Sequence, residues 1–128
     1  MDTKKILVVD DEKIFALFAK LNLEATGKYS VAVLSDAKDI LLQVHSFKPD
    51  IILLDMLMPE IGGLDVCEML SNDPLGASIP IIIVSALHEH GDKLNAYRAG
   101  VVYYISKPVK TEDLIKAIDK ALELKKLE

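Results

Sequence analysis

Apolar residues gather into five short runs, and each run is followed by a stretch with helical spacing. Lys4 to Asp10, KKILVVD, ends on a carboxylate and is followed at once by a second, Asp11; a helical pattern over Glu12 to Thr26 comes next, with Gly27 after it. Tyr29 to Ser35 alternates as a strand does, and Asp36 to Phe47 then places Ile40, Leu41, Val44 and Phe47 on one helical face. Pro49 closes that helix. Asp50 to Asp55, DIILLD, is the third strand, and the loop LMPEIGG leads into a helix over Leu64 to Leu70, ended by Asp73-Pro74. Ile79 to Ala86 is the most apolar run and suits a sheet centre. A short helix over Asp92 to Ala99 stops at Gly100, and Val101 to Ser106 forms the fifth strand. The last helix runs from about Thr111, its expected N-cap, with Glu112 and Asp113 in its first turn and Lys125 and Lys126 near its end.

Strict alternation of strand and helix predicts an α/β fold, a five-stranded parallel sheet doubly wound with helices on both faces through right-handed crossovers. At 128 residues with 51% hydrophobic content, residues 1–128 read as one domain able to bury a core. The net charge of −5 argues against a nucleic-acid-binding face. Cys67 is the only cysteine and lies in an apolar helical pattern, so a buried thiol in a reducing compartment is expected. With neither a signal-type apolar segment nor a run near the roughly twenty residues of a membrane span, the expectation is a cytoplasmic chain that does not insert into membranes. The final Leu127-Glu128 fits a chain cut from a longer protein and a natural helix end equally.

The polar outliers change the picture. In a parallel sheet the C-terminal ends of the strands share one edge, where ligands bind, so Asp10, Asp11, Asp55, Ser85 and Lys107 are brought together across wide sequence separations. Taken singly, each has a plainer reading: Asp10 and Asp11 as helix caps, Asp55 as a turn cap, Ser85 as a small core residue, Lys107 as a solvated ammonium. Taken together, three acids, a hydroxyl and an ammonium end otherwise apolar strands on one edge. Carboxylate pairs at 4 Å repel by about 4 kcal/mol at an effective dielectric near 20, so a counter-cation is expected. An all-oxygen ligand set with positions left to water suits Mg²⁺, and a carboxylate beside Mg²⁺ and an ammonium can attack phosphorus to give an acyl phosphate.

This constellation resembles the receiver domain of two-component response regulators over essentially the whole chain. The resemblance implies a flavodoxin-like strand order 2-1-3-4-5, with Asp55 as phosphoacceptor. It implies Mg²⁺ bound directly by Asp11, mainly through water by Asp10, and further by Asp55 and the backbone carbonyl of Leu57. Ser85 would hydrogen-bond a phosphoryl oxygen, Lys107 would pair with Asp55 and then with the phosphoryl group, and Lys107-Pro108 matches the family's cis peptide. Ser85 and Tyr104 would form the switch, remodelling the face of helix 4, strand 5 and helix 5. Tyr103 points to the opposite side of its strand. Leu57 and Leu87 occupy the positions that influence the attacking water, and their apolar side chains imply slow autodephosphorylation. The stretch MPEIGGLD resembles the loop after the acceptor, with Gly62 where an Asp is usual.

The implied role is a switch rather than an enzyme, catalysing only its own phosphotransfer and autodephosphorylation. The implied partners are a sensor histidine kinase or phosphotransfer protein as donor and a downstream effector or excised output domain; homodimerisation on phosphorylation stays open. An Mg²⁺-dependent phosphohydrolase with an aspartyl-phosphate intermediate is the alternative, but Met56 and Leu57 supply no second acid for the leaving group. A flavodoxin-like cofactor binder would need a phosphate loop after strand 1, where Asp10, Asp11 and Glu12 would repel phosphate. His88 and His90 form an H-x-H pair without completing ligands, and His45 reads as a helix-surface residue.

Overall fold

The structure, a computed structural model, describes residues 3–86 and 90–127, with only the backbone described at 90 and 91. Five strands, β1 (Lys4–Val9), β2 (Tyr29–Leu34), β3 (Ile51–Leu54), β4 (Ile81–Ser85) and β5 (Tyr103–Ser106), alternate with five helices. These are α1 (Lys13–Ala25), α2 (Ile40–Phe47), α3 (Gly63–Ser71), α4 (His90–Arg98) and α5 (Thr111–Lys125). All strand pairings are parallel, in the order β2-β1-β3-β4-β5. Strand order reverses between β1 and β3, so the crevice at their C-terminal ends is where a doubly wound sheet holds its ligand.

Successive side chains of a strand face opposite ways, and the two cores divide accordingly. Leu7, Val9, Ile52, Leu54, Ile81 and Ile83 pack toward α2, α3 and α4. Ile6, Val8, Ile51, Leu53, Ile82 and Val84 pack toward α1 and α5. Tyr104 belongs to the first core and Tyr103 packs against the second, the opposed orientation expected of neighbours on β5.

Several details differ from the sequence reading. Helix α2 begins at Ile40 instead of Asp36, because the Asp36 carboxylate accepts the Lys38 amide at 2.8 Å and holds a turn there. Helix α5 is capped by Lys110, not Thr111: the Lys110 carbonyl accepts the amides of Asp113 and Leu114 at 3.1 and 3.0 Å, and Thr111 is already helical. A single turn of 3₁₀ helix, Gly76–Ser78, fills the connection after Asp73-Pro74. Its start is fixed by the Asp73 carboxylate, which accepts the Gly76 amide at 2.8 Å and contacts His45 Nε2 at 2.9 Å with each oxygen. His45 therefore lies on the surface, as expected, but ties α2 to the α3 connection.

Cys67 is buried in the α3 core, and burial pushes its thiol up to about 11 from an ordinary 9.0. The thiol form is favoured by folding, a contribution fully present below pH 9.0 and lost as pH rises through about 11. A thiol reagent at pH 8 is expected to label Cys67 only as the chain unfolds; labelling at the rate of a free thiol in native buffer would contradict this burial.

Candidate functional site

The site begins where β3 stops. Ile51 to Leu54 are all buried, and the next residue, Asp55, is 3% exposed. Its backbone amide still bonds the Val9 carbonyl at 3.0 Å, so the ladder between β1 and β3 delivers the carboxylate to the sheet edge. The Leu57 amide donates to Asp55 Oδ1 at 3.1 Å and fixes the carboxylate's orientation. Asp10, 2% exposed, ends β1 beside it, and its Oδ1 accepts the Glu12 amide at 2.9 Å. Oxygens of Asp10, Asp11 and Asp55 all lie within 4.8 Å of one another, with Asp11 on the exposed side. That is an open, all-oxygen set with one face toward water, which fits a hard divalent cation that keeps part of its hydration shell.

Lys107 is supplied by the end of β5, where its amide bonds the Ser85 carbonyl at 2.8 Å. Its ammonium bonds Asp10 Oδ2 at 2.9 Å and Glu12 Oε2 at 3.0 Å, and lies 3.8 Å from Asp55 Oδ2. The expected partner, Asp55, is thus the most distant of the three, reached as an ion pair and not as a hydrogen bond. The reason is geometric: the loop from β1 to α1 carries two acids toward the lysine, and the Phe15 ring, 4.4 Å from the ammonium, supports it from the same helix.

Burial pushes the Asp10 carboxyl above the usual range, against the Lys107 bond and the Glu12 amide, and the neighbouring Asp55 charge adds to the rise. Burial pulls the Lys107 ammonium down, but its bonds to Asp10 and Glu12 and the charges of Asp10 and Asp55 outweigh this and hold it above its ordinary value. The ammonium is firmly charged, and Asp10 is held in a place that favours a second cation.

Ser85 is fully buried at the end of β4, next to Asp55 on the sheet edge. Tyr104 is 9% exposed, and burial pushes its phenol up while a hydrogen bond with Ser85 pulls it down; the Asp92 and Asp55 charges add to the rise. The Tyr104 amide donates to the Tyr97 hydroxyl at 3.2 Å, which joins β5 to α4, and Lys93 of α4 lies over the Tyr104 ring at 5.8 Å. Lys107-Pro108 is a cis peptide. Leu57 stands half exposed at the mouth. Leu87 and His88 lie outside the described residues, as does the side chain of His90.

Sequence reasoning missed Glu12 and Phe15 as partners of Lys107, and missed Gly63. A Cβ on Gly63 would sit 2.8 Å from the Met56 Cα and 3.0 Å from the Asp55 carbonyl oxygen, so only glycine lets α3 start against the backbone of Asp55 and Met56. At Gly62, where the resemblance raised an expectation of Asp, a Cβ meets nothing nearer than 3.7 Å.

The profile of the response regulator receiver domain family matches residues 6–119. The chain is 36% identical over 124 residues to the alkaline phosphatase synthesis transcriptional regulatory protein PhoP of Bacillus subtilis, covering 94% of this chain and 50% of PhoP. It is 34% identical to the DNA-binding response regulator MtrA of Mycobacterium tuberculosis, covering 90% of this chain and 50% of MtrA. The chain thus spans about half the length of the curated relatives it matches. Among solved structures, the CheY-like receiver domain protein of Methanospirillum hungatei superposes with a TM-score of 0.89 at 26% identity over 98% of each chain. The receiver domain protein of Clostridium thermocellum gives 0.86 at 29% identity, over 97% of this chain and 98% of that one. With its parallel sheet in the order 2-1-3-4-5 and a profile match across most of its length, the chain belongs to the response regulator receiver domain family of two-component signalling.

Proposed function

We propose that residues 1–128 form one receiver domain in which Asp55 accepts a phosphoryl group from the phosphohistidine of a sensor kinase or phosphotransfer protein. The observation that carries this reading is the convergence of the Asp10, Asp11 and Asp55 carboxylates within 4.8 Å, with the Lys107 ammonium 3.8 Å from Asp55. An oxygen of Asp55 attacks phosphorus and forms an O–P bond as the donor's N–P bond breaks, its electron pair returning to the imidazole. Lys107 offsets charge on the transferring group, and the Leu57 amide keeps the carboxylate aimed. Mg²⁺, held by Asp10, Asp11, Asp55 and the Leu57 carbonyl, would supply the remaining charge neutralisation.

Ser85 and Tyr104 form the switch. Phosphorylation draws the Ser85 hydroxyl toward the phosphoryl group, and Tyr104, already bonded to Ser85 and joined to α4 through Tyr97, carries the change to the face of α4, β5 and α5. The donor approaches over α1, where Ile14, Phe15 and Phe18 line an apolar groove with Pro108 and Val109. Ile14 is 87% exposed there, and the groove includes Glu12, so its end is the mouth of the acid cluster. Among the described residues no helix is long and apolar enough to cross a membrane. We place the domain in the cytoplasm, acting through an effector or an output domain of a longer protein and not by touching nucleic acid itself.

Incubation with acetyl phosphate and Mg²⁺, read by intact mass, tests this: one phosphoryl group on the wild type, and none on Asp55→Asn or with a chelator. Equal labelling of Asp55→Asn would overturn it. The apolar Leu57 side chain offers nothing to orient an attacking water, so the acyl phosphate is expected to be long-lived. Leu57→Asn is expected to shorten its lifetime by about tenfold in a phosphate-release assay, the scale of one well-placed polar group; an unchanged lifetime would contradict this.

A further inference from the structure

Lys107 has three ammonium protons, and the structure commits two of them to the β1–α1 side of the site. One goes to buried Asp10 and one to Glu12, leaving Asp55 at 3.8 Å. Glu12 is placed for this by its backbone: its amide is tied to Asp10 Oδ1 and its carbonyl accepts the Ala16 amide at 3.0 Å as α1 begins. Its side chain caps nothing in α1 and is 57% exposed, and among the described residues it is held by its bond to the lysine.

We propose that Glu12 is a positioning residue that holds Lys107 back from Asp55 and competes with the incoming phosphoryl group for the ammonium, acting as a brake on phosphorylation. The proposal rests on Asp55 being the acceptor. Lys107 must exchange a carboxylate partner for a phosphoryl oxygen when the group arrives. Asp10 is buried and anchored, whereas Glu12 sits at the rim and is the partner that can be released. Its negative charge also faces the incoming dianion, so both effects oppose transfer.

The test compares Glu12→Gln and Glu12→Asp with the wild type, using the full chain. Aspartate keeps the charge but is one methylene shorter, roughly 1.5 Å, and cannot reach the ammonium. Both variants are expected to be phosphorylated faster by acetyl phosphate at saturating Mg²⁺, by about two- to fivefold, the scale of one partly exposed ion pair. In the metal-free protein the ¹⁵N ammonium resonance of Lys107 is expected to shift in both. An unaccelerated Glu12→Gln overturns the proposal. So does acceleration of Glu12→Gln with Glu12→Asp at the wild-type rate, which would assign the effect to charge alone, and so does an ammonium resonance unmoved in either variant. Failure of the wild type to accept phosphate would count against the Asp55 reading instead, and the metal-free resonance would still decide whether Glu12 holds Lys107.

Discussion

Replacing Lys107 with methionine is expected to lower the stability of the metal-free protein by about 3–5 kcal/mol, the cost of breaking a buried ion pair by removing one partner. Methionine keeps most of the aliphatic stem, so the change isolates the charge. Asp10 and Asp55 are 2% and 3% exposed, and without the ammonium they face each other with, among the described residues, the Leu57 and Glu12 amides to satisfy them. Asp11 and the Glu12 carboxylate add negative charge at the rim. The same reasoning predicts that Mg²⁺ stabilises Lys107→Met more than the wild type, because the ion becomes the only cation among three acids. Chemical denaturation with and without Mg²⁺ checks both statements. A loss below 1 kcal/mol, or equal Mg²⁺ stabilisation of the two proteins, would contradict the account of the lysine as the resident counter-ion.

Gly63→Ala is the second large effect. The added Cβ would lie 2.8 Å from both the Met56 Cα and Sδ and 3.0 Å from the Asp55 carbonyl oxygen. The sulfur can move away, but the two backbone atoms belong to the segment that carries Asp55. Relief must come from shifting α3, which unpacks Val66, Cys67 and Leu70 from the core, and a loss of about 1–3 kcal/mol is expected from such overpacking. Gly62→Asp is the control. Its Cβ has room, its φ of −79° suits any residue, and an N-cap Asp in place of Gly changes stability by only a few tenths of a kcal/mol. Thermal melts of the two variants check the contrast. A Gly63→Ala protein as stable as Gly62→Asp would show that α3 is not pinned against the backbone of Asp55 and Met56.

The fold was legible because each strand shows either a short apolar run or, in Tyr29 to Ser35, an alternating one between helical patterns, a signature that survives without knowing the contacts. Boundaries were less so, since they depend on side chains that compete for backbone amides: Asp36 takes the Lys38 amide and delays α2, an option the helical spacing of Ile40, Val44 and Phe47 does not reveal. The clustering of Asp10, Asp11, Asp55, Ser85 and Lys107 followed from parallel topology, because strand ends share an edge whatever the loops do. How Lys107 divides its protons did not follow. That depends on sub-ångström differences in reach, and Glu12, adjacent to the acid pair in sequence, gave no signal beyond its charge. Helix α1 was equally opaque. Its apolar residues surround it, and only packing determines that Ala16, Ala19 and Leu23 are buried while Ile14, Leu17, Phe18 and Leu21 face outward.

If the cluster serves to phosphorylate one side chain, reductive trapping will mark that side chain. Borohydride converts an aspartyl phosphate to homoserine, so wild-type protein treated with acetyl phosphate and Mg²⁺, reduced and digested, is predicted to carry homoserine at position 55 alone. Homoserine at position 10 or 11, or an unmodified Asp55 in protein whose intact mass shows phosphate, would contradict the account.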